Sequence, residues 1–60
     1  MSGYTVTFSI DMIDEITSNP SSYKTWQLRE AMNDARTHYE HNNVSESWYK
    51  SVVRILESYI

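Results

Sequence analysis

Glu30, Asp34, His38 and His41 follow one another at spacings of four, four and three residues, which places them in one stripe if the segment is helical. Carboxylates and imidazoles in such a row are the donor types that a divalent ion such as zinc takes. One helix face cannot wrap a tetrahedral ion, so a metal site here requires ligands from a second element. No HExxH helix is present to supply them. The stripe also lies apart from the apolar stripe formed by Leu28, Ala31, Met32, Ala35 and Tyr39. It is therefore read as a solvated polar face, with no metal and no cofactor assigned to it.

Other chemistries find less material. The chain has no Cys, so a thiol nucleophile, a disulfide and a thiolate metal site are excluded, and Gly3 is its only glycine, so no phosphate-cradling loop exists. His38 has only carboxylate neighbours on its stripe, and no spaced acid pair has a cleft around it. Sixty residues make one domain, with little room for the pocket of about 300–1,000 Å³ that small-molecule sites need. No catalytic residue is assigned, and the expected function is not enzymatic.

The net charge is −3, and all of the excess lies in the first third. Residues 1–23 contain Asp11, Asp14 and Glu15 with no Lys or Arg, whereas residues 24–60 hold five acids and five bases. That patch suits a basic surface on a partner and disfavours nucleic acid as the ligand. Three acids in a short helix also complement its dipole with no partner at all. No run approaches the roughly 20 apolar residues of a membrane span, and a cytoplasmic location is expected.

The elements follow from periodicity. Tyr4, Val6, Phe8 and Ile10 alternate with Thr5, Thr7 and Ser9, the pattern of a half-buried strand. Asp11 is the expected cap of a short helix carrying Met12, Ile13 and Ile16, and Ser18-Asn19-Pro20-Ser21-Ser22 breaks the chain. A longer helix is expected from about Ser22, as its cap, to His41, ended by His41-Asn42-Asn43 because Asn tolerates left-handed geometry. Asn43, with Glu46 three residues on, then opens a last helix running to Ile60. In that helix Trp48, Tyr49, Val52, Val53, Ile55, Leu56, Tyr59 and Ile60 fill an arc of about 160°, against about 100° for an ordinary surface helix. The predicted fold is mainly α: a small three-helix domain, residues 1–60, made of a long antiparallel helix hairpin plus one short helix, with a single N-terminal β-strand. A lone strand needs a ladder partner, and pairing between two subunits supplies one while helping to cover the wide arc. A homodimer is expected, with Tyr4, Val6, Phe8, Trp48, Tyr49, Val53 and Ile60 in self-association.

Eight residues are aromatic (two Trp, five Tyr, one Phe), more than the core stripes use. With a helix starting at Ser22, Tyr23 and Trp26 point away from Leu28 and Ala35; with a start near Thr25 they fold back over the core. Trp and Tyr anchor protein interfaces more often than other residues. Tyr23, Trp26, Asp11, Asp14, Glu15 and Glu30 are the candidate partner-binding residues. The expected function is stoichiometric binding to a larger protein of unspecified identity, as an inhibitor or regulator. A short chain beginning at Met1 fits the small genes of phage and mobile elements. The alternative is a helix-turn-helix-like DNA-associated regulator using Lys50 and Arg54, whose binding would weaken with salt. A structural self-assembling subunit is a further alternative.

Overall fold

The computed structural model describes residues 4–60, and three α-helices account for most of them: α1 (Ile10–Ser18), α2 (Thr25–Glu40) and α3 (Glu46–Glu57). Each helix starts where a backbone donor finds a partner. The Ser9 hydroxyl accepts from the Met12 N–H at 3.2 Å and caps α1. Asp11, the expected cap, lies instead in the first turn, where its charge faces the positive end of the helix. Starting at Ile10 places Ile13 and Ile16 together in the core. Past Ser18 the Asn19 N–H donates to the Ile16 carbonyl, and Pro20, which cannot continue a helix, opens a single 3₁₀ turn, Pro20–Ser22.

Ser22 does not cap α2. Its hydroxyl accepts from the Asn19 side chain at 2.6 Å, and the helix begins three residues later, where the Gln27 side chain accepts from the Lys24 N–H at 2.8 Å. The end of α2 is as expected. Asn42 takes a left-handed φ of 61°, its N–H donates to the Tyr39 carbonyl, and the Asn43 N–H donates to the His38 carbonyl at 3.0 Å. These paired bonds form a Schellman motif, which satisfies two carbonyls that the helix end leaves open. α3 is capped by Ser45, whose hydroxyl accepts from the Trp48 N–H, in place of the expected Asn43–Glu46 box. Glu46 pairs with Lys50 at 3.0 Å, and the helix ends at Glu57, leaving Tyr59 and Ile60 beyond it.

The core is Ile13, Ile16, Leu28, Ala31, Ala35, Val52 and Leu56, with Phe8, Met12, Tyr23, Met32, Trp48 and Tyr49 packed around it. Near the connection at residues 41–45, Tyr39 of α2 stacks on Tyr49 of α3 with centroids 4.8 Å apart, which makes the pair an antiparallel hairpin. The wide arc of α3 is shared between two neighbours. Tyr49 meets α2, the Trp48 indole N–H donates to Asp14 of α1 at 2.8 Å, and Val52 and Leu56 fill the space between. Of that arc, Ile55, Tyr59 and Ile60 remain exposed among the described residues. No helix among the described residues is long and apolar enough to cross a membrane.

No strand occurs among the described residues, and the one expected over Tyr4–Ile10 is replaced by an irregular arm, residues 4–9, with Ile10 already inside α1. The physical reason is that other groups take the bonds a ladder would need. The Asp34 carboxylate accepts from the Thr7 and Phe8 N–H groups at 3.0 and 2.9 Å, and the His38 ring reaches the Phe8 carbonyl at 3.1 Å. The alternation in sequence reports half-burial of the arm, which is real: Tyr4, Val6 and Phe8 are half-buried, and Thr5, Thr7 and Ser9 are exposed.

Candidate protein-interaction surface

The polar stripe of α2 is divided by the fold. Asp34 is 2 % and His38 5 % exposed, so the solvated face expected for them is a buried one. His41 is exposed and Glu30 half-buried. His38 continues the 28–31–35 spacing of the core stripe, and Asp34 lies beside it; this was the available signal that both face inward. Each has a complete set of partners. The Phe8 carbonyl can only accept, so His38 Nε2 bears the proton donated to it. Nδ1 then accepts from the Tyr4 hydroxyl at 2.5 Å, and the Asn43 amide donates to that same hydroxyl oxygen. The Tyr4 ring also stacks on His41 at 4.3 Å. Asn43 is thus a structural residue that pattern reading could not find, because its role depends on the turn geometry set by Asn42. Among the described residues no cluster of three His, Asp or Glu side chains is placed to hold a metal ion.

Glu30 stands one turn before Asp34, and its pKa is raised above the ordinary 4.5. A hydrogen bond shared with Asp34 is the main cause, followed by partial desolvation and repulsion from the Asp34 charge, while a hydrogen bond to Thr7 opposes them. The folded protein therefore holds this proton more tightly than the unfolded chain. The associated stability is fully present below pH 4.5 and is lost as pH rises through the raised native value. Glu30→Gln is expected to raise the melting temperature at pH 7 by about 1–3 °C and to give no gain near pH 3.5, since a like-charge pair one turn apart costs a few tenths of a kcal/mol. Thermal melts of both proteins across pH 3–7 check this.

The remaining candidate residues fall on separate faces. Trp26 is 58 % exposed and projects from the side of α2 opposite Leu28 and Ala35, with Arg29 and Glu30 one turn on. Tyr23 precedes the helix and packs on the core. The helix start at Thr25 thus separates the two aromatics: Tyr23 folds back and Trp26 does not. Asp11, Asp14 and Glu15 are all exposed on α1, across the core from Trp26. Asp14 is tied to Trp48, so Asp11 and Glu15 are the freer acids of that helix. Of the residues expected in self-association, Tyr4, Val6 and Phe8 lie in the arm; Trp48, Tyr49 and Val53 are half-buried; Ile60 is exposed. On the far side of α3, Lys50, Ser51 and Arg54 border a polar depression of about 360 Å³. The Glu46 carboxylate, by hydrogen bond and charge, raises the Lys50 pKa.

Comparison with protein-family models, with curated proteins and with solved structures finds no match.

Proposed function

We propose that the chain is a small, non-enzymatic protein-binding protein of the cytoplasm that acts as an inhibitor or regulator by stoichiometric contact with a larger protein, through the outer face of α2 around Trp26. The observation that supports this reading most is the exposure of Trp26. In a domain whose core holds seven buried hydrophobic residues among those described, the largest side chain type is left in water on a regular helix. Folding gains nothing from a tryptophan placed there, whereas a desolvated tryptophan at an interface is worth about 2 kcal/mol or more. Arg29 and Glu30 beside it supply the polar rim that such an anchor needs.

A photo-crosslinking residue at the exposed position 29, one turn from Trp26, with one at the exposed Arg36 as control, identifies the protein that contacts this face. Calorimetric titration of that protein with Trp26→Ala is then expected to show binding weakened about 30-fold or more. The melting temperature should stay within about 2 °C of wild type, since surface substitutions rarely exceed about 0.5 kcal/mol. An affinity unchanged by Trp26→Ala removes this surface from consideration.

A second reading, DNA association through α3, is favoured by the polar depression at Lys50, Ser51 and Arg54. The Glu46–Lys50 pair weakens it, because it places a carboxylate where a phosphate would have to come.

A further inference from the structure

A chain of sixty residues leaves little room for a small-molecule pocket, yet a hollow forms where the arm passes into α1. Tyr4, Val6 and Ser9 of the arm, Ile10 and Asp11 of α1 and His38 of α2 border an open depression of about 520 Å³. Small-molecule sites occupy about 300–1,000 Å³. The hollow follows from how the arm is anchored. Asp34 and His38 hold the backbone of Thr7 and Phe8 against α2 while the Ser9 hydroxyl caps α1, so side chains of all three segments meet around it.

The lining decides what fits. Tyr4, Val6 and Ile10 are half-buried, so they offer apolar surface to the body of a ligand. Most polar groups at the site are already engaged. His38 is buried, its Nε2 donates to the Phe8 carbonyl and its Nδ1 accepts from the Tyr4 hydroxyl. The Tyr4 oxygen accepts from the Asn43 amide, and the Ser9 oxygen from the Met12 N–H. Asp11 differs. The ion pairs among the described residues are Arg36–Glu40 and Lys50–Glu46, and no described group donates to the Asp11 carboxylate. The positive end of α1 offsets part of its charge, but Glu15, one turn on and also exposed, adds to it.

Two ligand classes fail on this lining. No Lys or Arg borders the depression and residues 1–23 contain none, so an anion has nothing to hold it. A metal ion meets one carboxylate and no free imidazole nitrogen. We infer that the depression is a binding site for a small organic cation, with an aromatic or branched aliphatic body seated among Tyr4, Val6 and Ile10 and an ammonium group turned to Asp11. A one-ring amine should bind with a dissociation constant of about 1–10 mM, given the affinity that ligands of this size reach per atom. The carboxylate should contribute about threefold to fivefold of that, as an exposed ion pair does. Trp26 lies about 18 Å from His38 along α2, at about 1.5 Å per residue, so this site is separate from the partner surface proposed above.

Three probes of similar shape and different charge test the site on the full chain: 2-phenylethylamine, 2-phenylethanol and 3-phenylpropionate. Each is titrated to about 30 mM at constant pH and ionic strength, well past the expected dissociation constant. The Val6 and Ile10 methyl and Tyr4 ring resonances of ¹³C-labelled protein are followed by NMR. The amine is expected to give saturable shifts at all three residues, the alcohol to bind about threefold to fivefold more weakly, and the carboxylate not to saturate. Asp11→Asn, a change at an exposed position, should lower the amine to the affinity of the alcohol and leave the alcohol where it was. The alcohol comparison needs no variant. Any of three results would overturn the inference: no saturable shift at these residues with the amine, amine and alcohol affinities within about twofold on the wild type, or an amine affinity unchanged by Asp11→Asn.

Discussion

Asp34→Ala is expected to lower the stability of the domain by about 2–4 kcal/mol, the cost of losing two hydrogen bonds to a charged acceptor. Its carboxylate is buried and holds the Thr7 and Phe8 N–H groups through one oxygen. Those donors are left without a partner unless the arm swings into water, and in that case the packing of Phe8 on the core is lost with it. A chain of this length has roughly 3–9 kcal/mol in total, at about 0.05–0.15 kcal/mol per residue, so the variant should populate unfolded protein at 37 °C. Asp34→Asn separates charge from geometry. It keeps an oxygen of the same reach and removes the charge beside Glu30, so about half of the loss is expected, with the Glu30 carboxyl moving back down toward the ordinary range. Urea denaturation of both variants, with a pH titration of Glu30 by NMR in the second, checks the pair of outcomes.

Leu56→Ala should cost about 2–5 kcal/mol, the usual range for truncating a fully buried leucine. Leu56 has no exposed surface and lies where α3 meets both other helices. Among the described residues the core comprises seven side chains, two of them alanines, so the neighbours have little freedom to collapse into the space left behind. The preceding residue gives the contrast. Ile55 belongs to the same apolar arc but is exposed, and Ile55→Ser should change stability by no more than about 0.5 kcal/mol. Equilibrium denaturation of the two variants measures the difference. Equal losses at both positions would mean that Ile55 is covered in solution.

Much of the helical organisation could be read from the residues. Repeats of three and four at Ile13 and Ile16, at Leu28, Ala31 and Ala35, and at Val52 and Leu56 define the faces that meet, and Asn42 marks the end of α2. Helix starts were displaced by two or three residues because Ser9, Ser22, Asn43 and Ser45 all have capping side chains, and tertiary contacts decide among them. Ser22 is engaged by Asn19 and Asn43 by Tyr4. The arm was legible as half-buried but not as strandless. Alternation shows which side chains turn inward and says nothing about what satisfies the backbone. Here the acceptor is a carboxylate from 26 and 27 residues along the chain, a relation no local pattern contains. A helix start near Thr25 was expected to fold both Tyr23 and Trp26 back over the core; it folds back only Tyr23, because Trp26 already lies within the helix on the side opposite Leu28 and Ala35.

The two tryptophans divide the molecule's fluorescence between unlike surroundings. Trp48 is half-buried with its indole N–H bound to a carboxylate on α1, whereas Trp26 stands mostly in solvent on α2. A single emission spectrum therefore sums a reporter of how α3 seats against α1 and a reporter of whatever approaches the outer face of α2. A water-borne quencher separates them by access alone, so the chain can be watched for folding and for contact at the same time without any added dye.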